Sequence, residues 1–178
     1  MDLSVVNVVG GGNLNRKFDL AQVYSDFPNR EIEYFPESFS AVVIRYSDPK
    51  ATIMLYRSGK YSLAGAQTTK DAVDASSRFV EDVERMIGQS LSDVCFEIRY
   101  LVATADLGAS IDLSEAMIIL GTENTEYEPE QFPGLFYTPP ETDWFVSIFT
   151  SGKVMISGCS SKQEIGIVYT KIKEELKM

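Results

Sequence analysis

Two Ser-Gly-Lys turns, Ser58-Gly59-Lys60 and Ser151-Gly152-Lys153, and two aromatic turn segments, Tyr34-Phe35-Pro36-Glu37-Ser38-Phe39 and Tyr127-Glu128-Pro129-Glu130-Gln131-Phe132, hold the side chains best able to do chemistry. A lysine after a Ser-Gly turn offers a cation at a hairpin tip. A phenylalanine beside a proline turn offers a flat apolar surface. This is the chemistry of binding. The chain has no histidine, which removes His-based acid–base catalysis and His metal sites. No nucleophile elbow, P-loop or metal-ligand spacing occurs, so no catalytic residue, cofactor or metal ligand is assigned. Gly10-Gly11-Gly12 lacks the Lys-Ser/Thr of a phosphate cradle and reads as a loop. Cys95 and Cys159 read as two reduced thiols that pack as small hydrophobes, with a disulfide as the alternative.

These segments are copies of one another. Each pair lies 93 residues apart without a gap, and Leu14, Asp19, Leu20, Glu33 and Gly65 return as Leu107, Asp112, Leu113, Glu126 and Gly158 at the same offset. Two copies too long for a solenoid repeat imply a pseudo-symmetric molecule, divided into residues 1–93 and 94–178 within one fused unit. Such a molecule suits a partner that is itself roughly two-fold symmetric.

The net charge of −10 is unevenly divided. Residues 1–93 carry 10 Lys/Arg and 13 Asp/Glu; residues 94–178 carry 6 and 13. Between Val94 and Ser161 the only basic residues are Arg99 and Lys153. An acidic balance opposes casual binding to nucleic acid, so any DNA-binding reading must overcome that objection. No apolar run is long enough to span a bilayer and no secretory signal is read at the N-terminus, which predicts no membrane partner.

The elements that must position these residues follow from pattern. Leu3–Val9 reads as a strand broken by Gly10-Gly11-Gly12-Asn13, and Asp19–Phe27 as a short helix closed by Pro28. Glu31–Phe35, Ala41–Tyr46, Ala51–Arg57 and Tyr61–Ala66 read as antiparallel strands. Apolar residues at helical spacing predict a helix over Lys70–Ile87, stopped by Gly88. The second copy repeats this order, and its last helix opens with the capping-box pattern Ser161-Lys162-Gln163-Glu164. The expected class is α+β: one long curved antiparallel sheet with helices on a single face. Within Thr52-Ile53-Met54-Leu55-Tyr56 alternation puts Met54 and Tyr56 on the opposite, open face.

Val6-Asn7-Val8-Val9, Phe39, Tyr56-Arg57-Ser58-Gly59-Lys60, the run from Tyr127 to Leu135, and Ile148-Phe149-Thr150-Ser151-Gly152-Lys153 resemble the core of the TATA-box-binding protein family, archaeal in type. The resemblance covers nearly the whole chain, about Ser4 to Leu176. It implies a saddle whose concave sheet face sits on the DNA minor groove. There apolar wedges unstack base steps and kink the duplex, by about 80° in this family. It implies wedges at Phe39, Tyr56, Phe132 and Phe149. It implies base-facing residues at Asn7, Val9, Met54, Ser62 and Ala64, and at Tyr100, Val102, Ser147, Met155 and Ser157. Phosphates would be held by Arg45, Lys50, Lys60 and Lys153, and transcription factor B by Glu128, Glu130 and Gln131. The implied partners are A·T-rich double-stranded promoter DNA, factor B and, through it, RNA polymerase. The implied location is the cytoplasm, at the nucleoid, for an archaeal protein, or the nucleus for a eukaryotic one. An open apolar face also predicts homodimers in the absence of DNA.

Departures from the family pattern cluster in the second copy. Tyr100 stands where the family repeats asparagine, Tyr56 replaces a wedge phenylalanine, and Gln131 replaces a leucine. Cations expected at Gln67, Thr138, Asp143 and Ser160 are missing. Three readings follow. The first is a general transcription initiation factor. The second is a divergent paralogue that binds DNA weakly alone and acts mainly through proteins. The third is an enzyme or ligand-binding protein on a related fold, for which the sequence supplies no constellation. Taken alone, Phe39 and Phe132 read as core, Lys60 and Lys153 as hairpin tips, and Glu128 and Glu130 as a solvated loop.

Overall fold

The computed structural model describes residues 3–28 and 31–178. The chain forms two compact units, a first of Asn7–Arg99 and a second of Tyr100–Met178 joined by the N-terminal residues up to Val6. Strands β1 (Ser4–Asn13) and β6 (Cys95–Asp106) contribute to both.

The first unit adds α1 (Leu20–Asp26), β2 (Ile32–Tyr34), β3 (Ala41–Ser47), β4 (Lys50–Tyr56), β5 (Lys60–Ala66) and α2 (Thr69–Ile87). Its strands pair antiparallel in the order β2-β3-β4-β5-β1. The second unit adds α3 (Leu113–Leu120), a 3-10 turn (Thr122–Asn124), β7 (Thr125–Glu126), β8 (Gly134–Tyr137), β9 (Phe145–Phe149), β10 (Lys153–Cys159) and α4 (Lys162–Glu175). Its antiparallel order is β6-β10-β9-β8-β7.

Period-2 alternation seals one face of each sheet. In β4, Ala51, Ile53 and Leu55 are buried while Thr52, Met54 and Tyr56 are half-buried. In β10, Val154 and Ile156 are buried while Lys153 and Met155 are exposed. The sealed faces take α1 and α2 in the first unit, and α3 and α4 in the second. Phe79 of α2 packs on the Tyr61 ring at 4.9 Å, and the Tyr61 hydroxyl meets Ser76 Oγ at 2.7 Å. Tyr46 Oη donates to buried Asp82 Oδ2 at 2.8 Å, and Arg85 Nη1 satisfies Oδ1 at 2.8 Å. Burial, then the bond to Asp82, pushes the Tyr46 phenol far above its ordinary range. In the second unit Tyr137 Oη donates to Glu175 Oε2 at 2.9 Å.

The backbone repeats at the same offset as the sequence. Leu14 N donates to Gly59 O, and Leu107 N to Gly152 O, both at 2.9 Å. Phe39 N bonds Phe35 O at 2.8 Å, and Phe132 N bonds Glu128 O at 2.9 Å. The carboxylates of Asp19 and Asp112 each cap a short helix by accepting two backbone N–H groups. Thr68 and Ser161 cap the long ones through Asp71 N and Glu164 N, and Gly88 ends α2 in the left-handed conformation (φ 70°). The return bond of a capping box is displaced here. Glu164 reaches Ser160 N at 2.7 Å and Ser160 Oγ at 2.9 Å, one residue before the cap.

The loop expected at Gly10-Gly11-Gly12 is instead strand, because β1 runs on to Asn13. The glycines leave room for neighbours to lie against the backbone: Phe96 over Gly10, the Tyr61 ring over Gly12, and the Arg99 guanidinium over Gly11.

Both Ser-Gly-Lys turns need their glycine. Gly59 (φ 86°) and Gly152 (φ 83°) are left-handed, and a Cβ would collide with the carbonyl oxygens of Arg16 and Ala109 respectively. Gly166, inside α4, has nothing within 4 Å of the position its Cβ would take. Urea denaturation is therefore expected to show Gly59→Ala and Gly152→Ala each losing about 2 kcal/mol or more. Gly166→Ala is expected to gain about 0.5–1 kcal/mol.

Candidate nucleic-acid interface

On the open face of the first unit, Gly11, Ser62 and Met54 lie in register across β1, β5 and β4. Ala64 pairs with Thr52 on the same side. Val9, Met54, Ser62 and Ala64 are all half-buried. Asn7 has a defined orientation. Its Oδ1 accepts from Gly65 N at 2.6 Å, which leaves the Nδ2 donors without a partner among the described residues. An apolar strip with unengaged N–H donors complements a surface of acceptors. The minor groove shows such a surface at A·T pairs, whereas G·C adds a donor that would oppose the amide.

The residues expected as wedges divide by unit. Phe39 is exposed at 40%, next to the turn that closes on Phe35 O, and Tyr56 is half-buried in register with Ala41. In the second unit, Phe132 and Phe149 meet each other at 5.7 Å. A Cβ at Gly134 would stand 2.7 Å from Phe132 and 3.1 Å from Phe149, so the missing side chain lets both rings settle onto the backbone. The residue 93 earlier is Ala41, whose methyl denies the first unit that seat. Phe136 stacks on Phe132 at 4.5 Å and contacts Phe145 at 5.2 Å, which makes a continuous row of four phenyl rings.

Ser147 lies under that row. It pairs with Phe136 and Met155 in register, is 1% exposed, and its Oγ has no hydrogen-bond partner among the described residues. Tyr100 (37%) and Met155 (38%) are exposed and Val102 is half-buried, while the Ser157 hydroxyl donates to Phe145 O at 3.2 Å. Phe136 and Phe145 were not singled out by sequence reasoning. Their alternation with buried Leu135, Tyr137 and Val146 was the available signal.

The cations are exposed, and not all are free. Lys60 and Lys153 project from the Ser-Gly turns, and Lys50 begins β4. Arg45 Nη1 is held by Glu33 Oε1 at 2.7 Å, so an incoming phosphate must compete with a carboxylate. In the second unit Glu128, Glu130 and Gln131 form an exposed turn in which Gln131 Nε2 donates to Glu128 Oε2. Thr138, Asp143 and Ser160 are exposed and bring no positive charge. Burial, then the nearby Glu164 charge, pushes the Cys159 thiol up to about 11, and both cysteines are free thiols. Among the described residues no acidic, cysteine or histidine group forms a metal cluster, and no helix is long and apolar enough to cross a membrane.

Each of the two α+β units has one helix-covered face and one open, mostly apolar face, the class of a helix-backed antiparallel sheet. The family model described as "Transcription factor TFIID (or TATA-binding protein, TBP)" matches the chain twice, over residues 2–86 and 95–178. The TATA-box-binding protein of Methanococcus aeolicus is 38% identical over 177 residues, covering 99% of this chain and 94% of that protein. That of Haloarcula marismortui is 39% identical over 163 residues, covering 91% and 86%. The solved structure of Methanococcus jannaschii TBP matches with a TM-score of 0.81 at 35% identity, covering 99% of each chain. The chain belongs to the TATA-binding protein family and has its fold.

A buried hydroxyl without a partner costs about 1–3 kcal/mol. Ser147→Ala is therefore expected to be neutral or to stabilise the protein by up to about 1 kcal/mol in a thermal or urea melt. A loss above about 1 kcal/mol would show that the hydroxyl is in fact satisfied.

Proposed function

We propose that this chain is a general transcription initiation factor of archaeal type. It binds an A·T-rich promoter element through the minor groove, bends it, and carries transcription factor B and, through that factor, RNA polymerase. The observation that carries the reading is the Asn7 amide, with its oxygen tied to Gly65 N and its N–H donors left unengaged beside an apolar strip. The two copies act as pseudo-symmetric halves. Phe39 with Tyr56, and Phe132 with Phe149, supply the wedges. Asn7, Val9, Met54, Ser62 and Ala64 face bases from the first half, and Tyr100, Val102, Met155 and Ser157 from the second. Ser147 joins them when the phenyl row lifts from it. Lys50, Lys60 and Lys153, with Arg45 once released from Glu33, hold phosphates. The Glu128–Gln131 turn meets factor B. The protein works at the nucleoid, does no catalysis, and without DNA its open apolar face favours a homodimer.

A second reading, a divergent paralogue dependent on its protein partner, draws on one observation: the Arg45–Glu33 ion pair lowers an already short supply of phosphate-binding cations. A fluorescence bend-and-bind titration on a TATA-box duplex, over a salt series with and without factor B, separates the two. Four phosphate contacts predict a slope of log K against log salt of roughly −3 to −4, with bending by the protein alone. Binding seen only with factor B would favour the paralogue. The absence of binding and bending in both conditions would reject the DNA reading.

A further inference from the structure

Arg99 lies where a cation has no obvious business. A Cβ on Gly11 would stand 2.6 Å from Arg99 Nη2, 2.7 Å from Cζ and 2.8 Å from Nε, so the guanidinium lies flat over the Gly11 backbone. Which face this is follows from the flanking glycines. Gly12 points at the Tyr61 ring, which is 2% exposed and packed on Phe79 of α2. Gly11, one residue earlier, therefore points to the open face, in the row it shares with Ser62 and Met54. Arg99 is exposed and forms no ion pair among the described residues.

This position differs from that of the other candidate cations. Lys60 pairs with Asn13, two residues beyond Gly11 and thus about 7 Å further along β1. Lys60 and Lys50 stand at the starts of strands, and Arg45 is engaged by Glu33. Arg99 lies instead among the residues assigned to bases. A guanidinium lying flat on a peptide keeps its edge N–H donors directed along the surface, ready for acceptors. It also immediately precedes Tyr100, where the amide donor of Asn7 has no counterpart.

We propose that Arg99 is a specificity-determining residue that reads the minor groove, donating hydrogen bonds to the acceptor edges of A·T pairs rather than to phosphate. The Gly11 backbone is the shelf that seats it. This rests on the minor-groove reading above. The minor-groove edges of A·T pairs carry only acceptors, which suit a guanidinium, and the exocyclic amine of a G·C pair would confront its donors.

The test is binding of wild type, Arg99→Ala and Arg99→Lys to an A·T-rich duplex and to a panel with single A·T to G·C replacements, each over a salt series, with a thermal melt as the folding control. Arg99→Ala is expected to weaken binding to the A·T duplex about tenfold and to lose about tenfold discrimination at one position of the panel. Arg99→Lys retains the charge and keeps the salt slope, yet loses the same discrimination, because an ammonium lacks the planar fork. Two outcomes would overturn the proposal. One is an equal loss on every duplex with the slope reduced by about 0.9, which marks a phosphate contact. The other is unchanged binding in both variants. Wild type failing to bind the A·T duplex would reject the underlying minor-groove reading and this proposal with it, an outcome distinct from wild type binding while the variants match it.

Discussion

The structure depends on one constraint: each sheet can bury only one of its two faces. Ile53, Leu55 and Leu63 are fully buried, as are Val154 and Ile156 in the second unit, because the helices supply an apolar stripe on that side alone. Every residue between them is committed by strand period to the other face. The tertiary fold is stabilised on the helix side. The open side carries side chains such as Phe39, Tyr100 and Met155, about 40% exposed, that the core does not need.

This division of labour explains how the two units share a backbone and differ in surface. The same turn bonds, helix caps and left-handed glycines recur at one offset, because they hold each unit together. The open faces answer to whatever they touch. In the first unit that face carries an oriented amide, small hydroxyl and methyl groups, and a guanidinium on a glycine shelf. In the second it carries four phenyl rings in a row, a phenol and few cations. In the proposed function the first donates hydrogen bonds to the minor groove, and the second presses apolar surface against it.

Much of this was legible in the sequence, for identifiable reasons. The Ser-Gly-Lys turns, the Ser161 cap and the Gly88 stop are local devices, and local chemistry decided them. The split of Met54 and Tyr56 from Ile53 and Leu55 followed from alternation. Gly10-Gly11-Gly12 misled because glycine ordinarily breaks a strand. Here it admits Phe96, Arg99 and the Tyr61 ring against the backbone, a contact between segments far apart in sequence. The same limit hid the phenyl row. Phe136 and Phe145 sit on different strands, and only their register with Ser147 brings them together. Ion pairing was hidden as well: Arg45, expected at a phosphate, is engaged by Glu33, which β2 places beside it.

The central claim is that the open face reads the minor groove, and base substitution tests it without touching the protein. Inosine paired with cytosine presents the minor-groove pattern of an A·T pair, lacking the exocyclic amine of guanine, while its major groove resembles G·C. Binding should be measured on three duplexes of equal length: the A·T-rich element, the same element with every A·T pair replaced by I·C, and the same with G·C. Minor-groove reading predicts that I·C binds within a few-fold of A·T and that G·C binds far more weakly. An I·C duplex that behaves like G·C would mean the protein recognises something other than the minor-groove edge, and would contradict the account.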